Sequence, residues 1–303
     1  MQIQRFIITI LCTMLLFAPA HGQKGFRTRV PPPVSSEAKL EMEAKLKEAQ
    51  AHYAANPNSA DALIWVGRRQ AYLGQFVIAV LTYSEGIKRF PTDARFYRHR
   101  GHREITLRRF DLAIDDLKKA AELVKGKPDE IEPDGQPNAR NIPTSTLQFN
   151  IWYHLGLAYY LTGQNQKALE AYGECLKVSN SPDRLVSTTH WLYMTLRRLN
   201  HNAEAAKVLE PITEGMDVIE NTSYYHLVLM YKGVLPVERL LQEAQGDSAA
   251  SHSVLYGIGN WHLYNGRREQ ALKIFRKIVS SQQWTSFGFI AAEADLRAAD
   301  LRR

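Results

Sequence analysis

His99 and His102, three residues apart, are the first place in this chain where chemistry could reside. On a helix that spacing puts both imidazoles on one face, as a metal site requires. No carboxylate or further histidine follows at ligand spacing, however, and the HExxH pattern does not occur. His226, His252 and His262 are separate positions without partners in the sequence. No G-x-S-x-G elbow, phosphate-binding loop or dinucleotide fingerprint is present either. Of the two cysteines, Cys12 lies in an apolar N-terminal run. Cys175 is then the single thiol of the remaining chain, so packing and not a disulfide must hold the fold. The residue types therefore point away from catalysis, with no cofactor and no metal expected.

The elements that would position these residues repeat. Gly67 and Gly101 are 34 residues apart, and so are Ala79 and Ala113, and Pro57 and Pro91. In the first unit, from Ala60, small residues Gly67 and Ala79 let two helices approach, with Leu63 and Tyr83 filling the space around them and Leu73-Gly74-Gln75 turning the chain. The second unit, from Ala94, carries Tyr97, Gly101, Ala113, Leu117 and Ala120. It departs at Arg100, where a leucine is usual: either the stem packs and the charge snorkels out, or a groove needs a cation there. The third unit is the clearest, with Trp152, Leu155, Gly156, Tyr159, Ala168 and Tyr172. Its register puts Cys175 at a buried position of the second helix, where an inert thiol is expected. A fourth unit (Thr189, Leu192, Leu196, Ala205, Leu209) has Tyr193 in place of the glycine and a second helix cut short by Pro211. A shortened pair follows over 223–246, broken at Gly233 and restarted near Pro236. A fifth full unit holds Leu255, Gly259, Gly266, Ala271, Phe275 and Ile278.

The ends and one interior stretch break the period. Arg5, the apolar run Phe6 to Phe17 and Ala18-Pro19-Ala20 have the layout of a secretory signal peptide over 1–22. An uncleaved anchor is the alternative, and membrane contact is expected through such a retained signal alone. Residues 23–36 read as a basic, proline-rich linker, and 37–55 as a leading helix that covers the first unit. Residues 125–146 hold four prolines and two glycines and are not helical. This insertion is either functional or a tolerated surface loop. The last helix, 287–302, sets Glu293, Asp295, Arg297 and Asp300 among apolar residues, as the polar-faced end of a stack would.

A 34-residue period with the pattern W-x2-L-G-x2-Y…A-x3-F, Tyr replacing Phe, resembles the tetratricopeptide repeat, over nearly everything from residue 38 onward. The resemblance implies an all-α fold: a right-handed α-α superhelix (TPR solenoid) of about five helix pairs, an irregular short pair and terminal capping helices. The order of the degenerate unit, the short pair with Tyr231-Lys232-Gly233-Val234-Leu235, and Gly257-Ile258-Gly259-Asn260-Trp261-His262-Leu263-Tyr264 is similar to the bacterial periplasmic TPR adaptors of the NlpI type. Those are lipid-anchored dimers that bring proteases and cell-wall enzymes together. The lipid-attachment cysteine is missing here, and a homodimer is implied by the resemblance alone.

In such repeats positions 2, 5, 9, 12 and 13 of the first helix face the groove. Carried onto this chain, the frame presents Arg68, Tyr72, Arg95, Arg98 and His102, then Tyr153, Tyr160 and Leu161, then Tyr256, Asn260 and Tyr264. A basic entrance would lead to an aromatic wall. Guanidinium groups suit an extended peptide carrying carboxylates, and tyrosines suit protein contact. The plain alternative is a solvated helix face. The two-carboxylate clamp of chaperone-binding repeats needs Lys and Asn where Ile64 and Arg68 stand, so that activity is not expected.

The expected function is an exported adaptor, periplasmic or secreted, that binds other proteins or extended peptides, acidic ones among them. A glycan-binding module using the tyrosines is the alternative. The formal charge of +7 favours anionic partners, but export and the lack of a recognised RNA module exclude nucleic acid.

Overall fold

The computed structural model describes residues 30–301. The signal-like stretch 1–22 and residues 23–29 of the linker lie outside the described residues. The unit from Pro31 onward contains fourteen α-helices and no strand among the described residues, with most helices packed mainly on their neighbours in sequence. None of these helices is long and apolar enough to cross a membrane.

Helix α1 (Ser36–Ala55) buries no residue fully and lies along the first pair, with Tyr53 packed on its core. The full pairs are α2 (Ala60–Tyr72) with α3 (Phe76–Arg89), α4 (Ala94–Thr106) with α5 (Phe110–Val124), and α6 (Leu147–Leu161) with α7 (Asn165–Lys177). They continue with α8 (Pro182–Arg198) and α9 (Asn202–Lys207), the short pair α10 (Thr222–Tyr231) and α11 (Val237–Glu243), and α12 (Ala249–Tyr264) with α13 (Arg268–Val279). Helix α14 (Phe287–Asp300) ends the chain. Ser59, Asp93, Ser181, Ser248 and Ser286 cap first helices and α14 by accepting from backbone N–H groups that would otherwise lack partners.

One contact recurs and explains the period. The glycine of each first helix receives a large side chain from the second helix sixteen residues later: Tyr83 at Gly67, Leu117 at Gly101, Tyr172 at Gly156 and Phe275 at Gly259. A Cβ at Gly156 would sit 2.7 Å from the Tyr172 ring, and one at Gly259 2.6 Å from Phe275. Tyr193 stands at this place in α8, and Leu209, sixteen residues later, is buried but lies just past the end of α9, which is six residues long. Tyr193 stacks on Tyr231 of α10, with ring centroids 4.5 Å apart.

The turn inside the second pair is unusual. Gly74, Gly163 and Gly266 take left-handed backbone there, as glycine does without steric cost, whereas the second pair uses Arg108 at φ 63°. Its side chain is held by Glu293 (Nε–O 2.8 Å) and by the carbonyls of Thr106 and Trp284.

Two expectations change. Arg100 neither snorkels nor serves a groove: it forks onto Asp116 of α5 at 2.8 and 2.7 Å and donates to Ser84 of α3, tying three helices together. Helix α14 is not a solvent-facing cap. Glu293 and Asp295 are mostly buried in ion pairs with Arg108 and Arg198, so these carboxylates dock the helix.

Candidate protein-binding surface

The first helices of the two opening pairs set four arginines and an aromatic group side by side. Arg68 is buried; its guanidinium lies 4.4 Å over Trp65 and donates to the Tyr72 hydroxyl at 3.2 Å. Arg98 is 7% exposed, pairs with Glu132 at 2.9 Å and contacts His99 Nδ1 at 2.9 Å, while its Nε is buried without a partner. Arg103, 34 residues after Arg69, lies 5.7 Å over Phe76 and has no hydrogen-bond acceptor or carboxylate among the described residues. Arg69 donates to the Gly135 carbonyl at 2.8 Å.

Glu132 and Gly135 belong to the irregular segment 125–146, which folds against this face. Its acidic run holds Asp129, Glu130, Glu132 and Asp134. Asp129 accepts from Thr146 Oγ1 (2.6 Å) and the Gln148 N–H, and Asn150 donates to Glu132 at 3.1 Å. Gly135 packs on Tyr72, where a Cβ would collide with the phenol. The segment thus supplies one carboxylate to a cluster of cations. Burial, with Arg68 also nearby, lowers the affinity of Arg98 for its proton, against the pull of Glu132. Burial brings Arg103 down to about 10, helped by Arg98 and Arg68. Burial holds His99 well below its ordinary value, with Arg98, Arg68 and Arg103 adding to the effect.

The remaining sequence-derived candidates fall into three groups. Arg95 sits at the rim, committed to Asp93 (2.6 Å) and to Asp61, and its hydrogen bond to Asp93 raises its proton affinity. His102 stacks near His154 (4.2 Å) and Phe287 (5.5 Å) and lines a cavity of about 370 Å³ with Ser223, Ser253 and Phe287. Burial, then the nearby Arg103 and His154, lower its affinity for a proton. The aromatic wall does not stand open. Tyr153 is buried, accepts from Trp191 Nε1 at 2.8 Å and lies under Phe287. Tyr160 and Tyr256 share a buried network in which Arg198 reaches Asp295 (2.6 Å), Asn260 Oδ1 (2.8 Å) and the Tyr256 hydroxyl (3.0 Å). Tyr264 is apart from these, beneath Arg197 at 4.4 Å. Helix α14 and residues before it cover this part of the inner side, Trp284 reaching Phe76 at 5.6 Å. Faces that would stack on sugar rings are therefore taken up internally.

The structure thus brings Arg68, Tyr72, Arg98 and His102 near one another and adds Arg69, Arg103 and Glu132, which the groove frame does not select. Arg103 occupies the tenth repeat position, outside the inward set, and Glu132 comes from the insertion. The acidic run beside a basic face was the available signal for the latter. Cys175 is buried, in contact with Thr188 and the Phe149 carbonyl, and burial pushes its thiol up to about 12.

Residues 149–181 and 253–282 match tetratricopeptide-repeat family models. No curated protein matches the chain. Similar solved structures include YrrB, described as a TPR protein with an unusual peptide-binding site (14% identity, 82% of this chain, 97% of that one, TM-score 0.44). MamA (19% identity, 57% and 86%, TM-score 0.43) and the TPR-like repeats of a putative kinesin light chain from Podosopora anserina (15%, 79% and 97%, TM-score 0.43) are others. These two segments are thus similar to tetratricopeptide repeats, and in the structure they form α6 with α7 and α12 with α13.

Proposed function

We propose that this chain is a non-catalytic adaptor that holds acidic, extended segments of other proteins on the inner face of α2 and α4. The observation that carries this reading is the charge imbalance there: among the described residues, Arg68, Arg98 and Arg103 are gathered against the one carboxylate of Glu132. A concave cationic surface of limited exposure attracts carboxylates more strongly than a solvated helix face does. Export to the periplasm or exterior is part of the proposal, supported by the composition of residues 1–22 and the resemblance of 223–264 to envelope adaptors. Homodimer formation is a further part, and light scattering on the purified protein tests it: a monomeric mass at all concentrations contradicts it.

A photoreactive phenylalanine analogue at Tyr72, on the inner face, tests the reading in a native extract against the same analogue at the outward Leu81, which is 64% exposed. Discrete protein adducts are expected from Tyr72 and not from Leu81. Adducts confined to Leu81 would place the binding surface on the outer face and contradict the proposal.

A further inference from the structure

Arg68, Arg98 and Arg103 hold more charge than the described residues around them neutralise. Three guanidinium groups less one carboxylate leaves two positive charges, on side chains that are buried or half-buried. Two of the three also have unused donors: Arg98 through its buried Nε, and Arg103 through a guanidinium with no acceptor among the described residues. A buried donor without a partner costs free energy, and an uncompensated buried cation costs more. Such donors and charge are open to a carboxylate from outside the chain.

The insertion is fixed at both ends of the stretch that carries Glu132. Glu132 N–H donates to the Ser145 carbonyl (3.1 Å), Leu147 N–H to the Glu130 carbonyl (2.8 Å), and Asn138 to Glu220 (2.6 Å). With Asp129 holding the start of α6 and Arg69 holding Gly135, the segment is a wall and not a loose occupant.

We propose that Arg68, Arg98 and Arg103, with Glu132 as a fixed wall, form a site for one carboxylate side chain of a partner's extended segment. This rests on the adaptor reading and narrows it. The partner's acid takes up one of the two remaining positive charges and binds beside the insertion without displacing it. Planar carboxylates match the guanidinium fork, and Arg98 already meets one oxygen of Glu132 through a single nitrogen, at 2.9 Å.

The test is fluorescence anisotropy of the full chain with a labelled, amidated probe peptide, Ac-Gly-Ser-Glu-Ile-Pro-Gly-NH2. Arg103→Met and Arg68→Gln are each expected to weaken binding about tenfold or more, the loss of one charge-assisted pair. Arg103→Lys should restore most of it, and Arg95→Gln should bind as wild type does. Thermal unfolding of each variant shows whether the fold is kept. Hydrogen exchange at the Glu132 and Leu147 amides should stay slow when the peptide is bound. Faster exchange there would make the insertion a displaced occupant and overturn the wall. If the peptide binds but Arg103→Met and Arg68→Gln are indifferent, the carboxylate assignment falls and the adaptor reading stands. Absence of binding to wild type by acidic peptides of any length would remove the adaptor reading itself. Inorganic phosphate is the second arm: its binding in place of the peptide would reassign the site to a phosphate ligand and overturn the proposal.

Discussion

Glu132 and Arg98 are 34 residues apart in sequence and 2.9 Å apart in the fold, so the irregular insertion pairs with the inner face of α4. The pair is mostly buried, and both partners are needed. Arg98→Met would leave Glu132 without its cation and is expected to lower stability by about 3 kcal/mol. Arg103→Met removes a charge that has no ion-pair partner among the described residues and is expected to raise stability by about 1 kcal/mol. Denaturant unfolding of the two variants checks this contrast; equal losses would mean that Arg103 has a structural partner.

The glycine contacts make a second prediction. Gly156→Ala places a methyl 2.7 Å from the Tyr172 ring, a buried side chain that cannot swing away. The substitution should cost about 1–3 kcal/mol through overpacking. Gly173→Ala, on the same pair with nothing within 4 Å of the new methyl, should instead stabilise by about 0.5–1 kcal/mol through helix propensity. Melting temperatures that move in the same direction for both would refute the close-approach explanation.

Much of this was legible in advance. Gly67, Gly101, Gly156 and Gly259 announce the helix contacts because a missing side chain at a fixed interval has one economical cause. Tyr193 and Pro211 likewise mark where α9 shortens. Expectation and structure part over what fills the hollow side. Glu293 and Asp295 read as a polar solvent face, because a helical pattern of charges does not say whether another part of the chain supplies Arg108 and Arg198. Tyr153, Tyr160 and Tyr256 fit the repeat frame, but their burial beneath 284–295 depends on contacts outside their own helix pairs, more than a hundred positions away for Tyr153 and Tyr160 and 39 for Tyr256 with Asp295. Glu132 lies in a stretch without periodicity, so nothing local fixes its partner.

The docking of α14 is the third prediction. Asp295 accepts from Arg198 and the Tyr256 hydroxyl, and Asp295→Asn would leave Arg198 a buried cation. A loss of about 3 kcal/mol is expected, with hydrogen exchange accelerated first in α14. Uniform acceleration over all helices would show that α14 does not open as a separate unit.

Acid is the fourth. His99, His102, His154 and His190 are held below the ordinary 6.5, burial being the largest cause in each, with His190 at about 3. Around His99 the facing charges are Arg98, Arg68 and Arg103, with Glu132 opposite at 4.0 Å. These histidines stay neutral in the fold while the unfolded chain takes up protons below pH 6.5. Their contribution is full above that value and is lost as pH falls toward the lowered native values, at up to about 1.4 kcal/mol per pH unit per histidine. The melting temperature should fall between pH 6.5 and 5, and less steeply in His190→Phe. A melting temperature unchanged across that interval would contradict the burial.

The most direct measurement is calorimetric titration of the purified chain with an acidic extended peptide and with its counterpart in which Asn and Gln replace Asp and Glu, each at low and high salt. Saturable binding of the acidic peptide alone, weakened by salt as partly exposed charge pairing requires, is the predicted result. Equal binding of the two peptides, or of neither, would contradict a cationic inner face that grips partner segments.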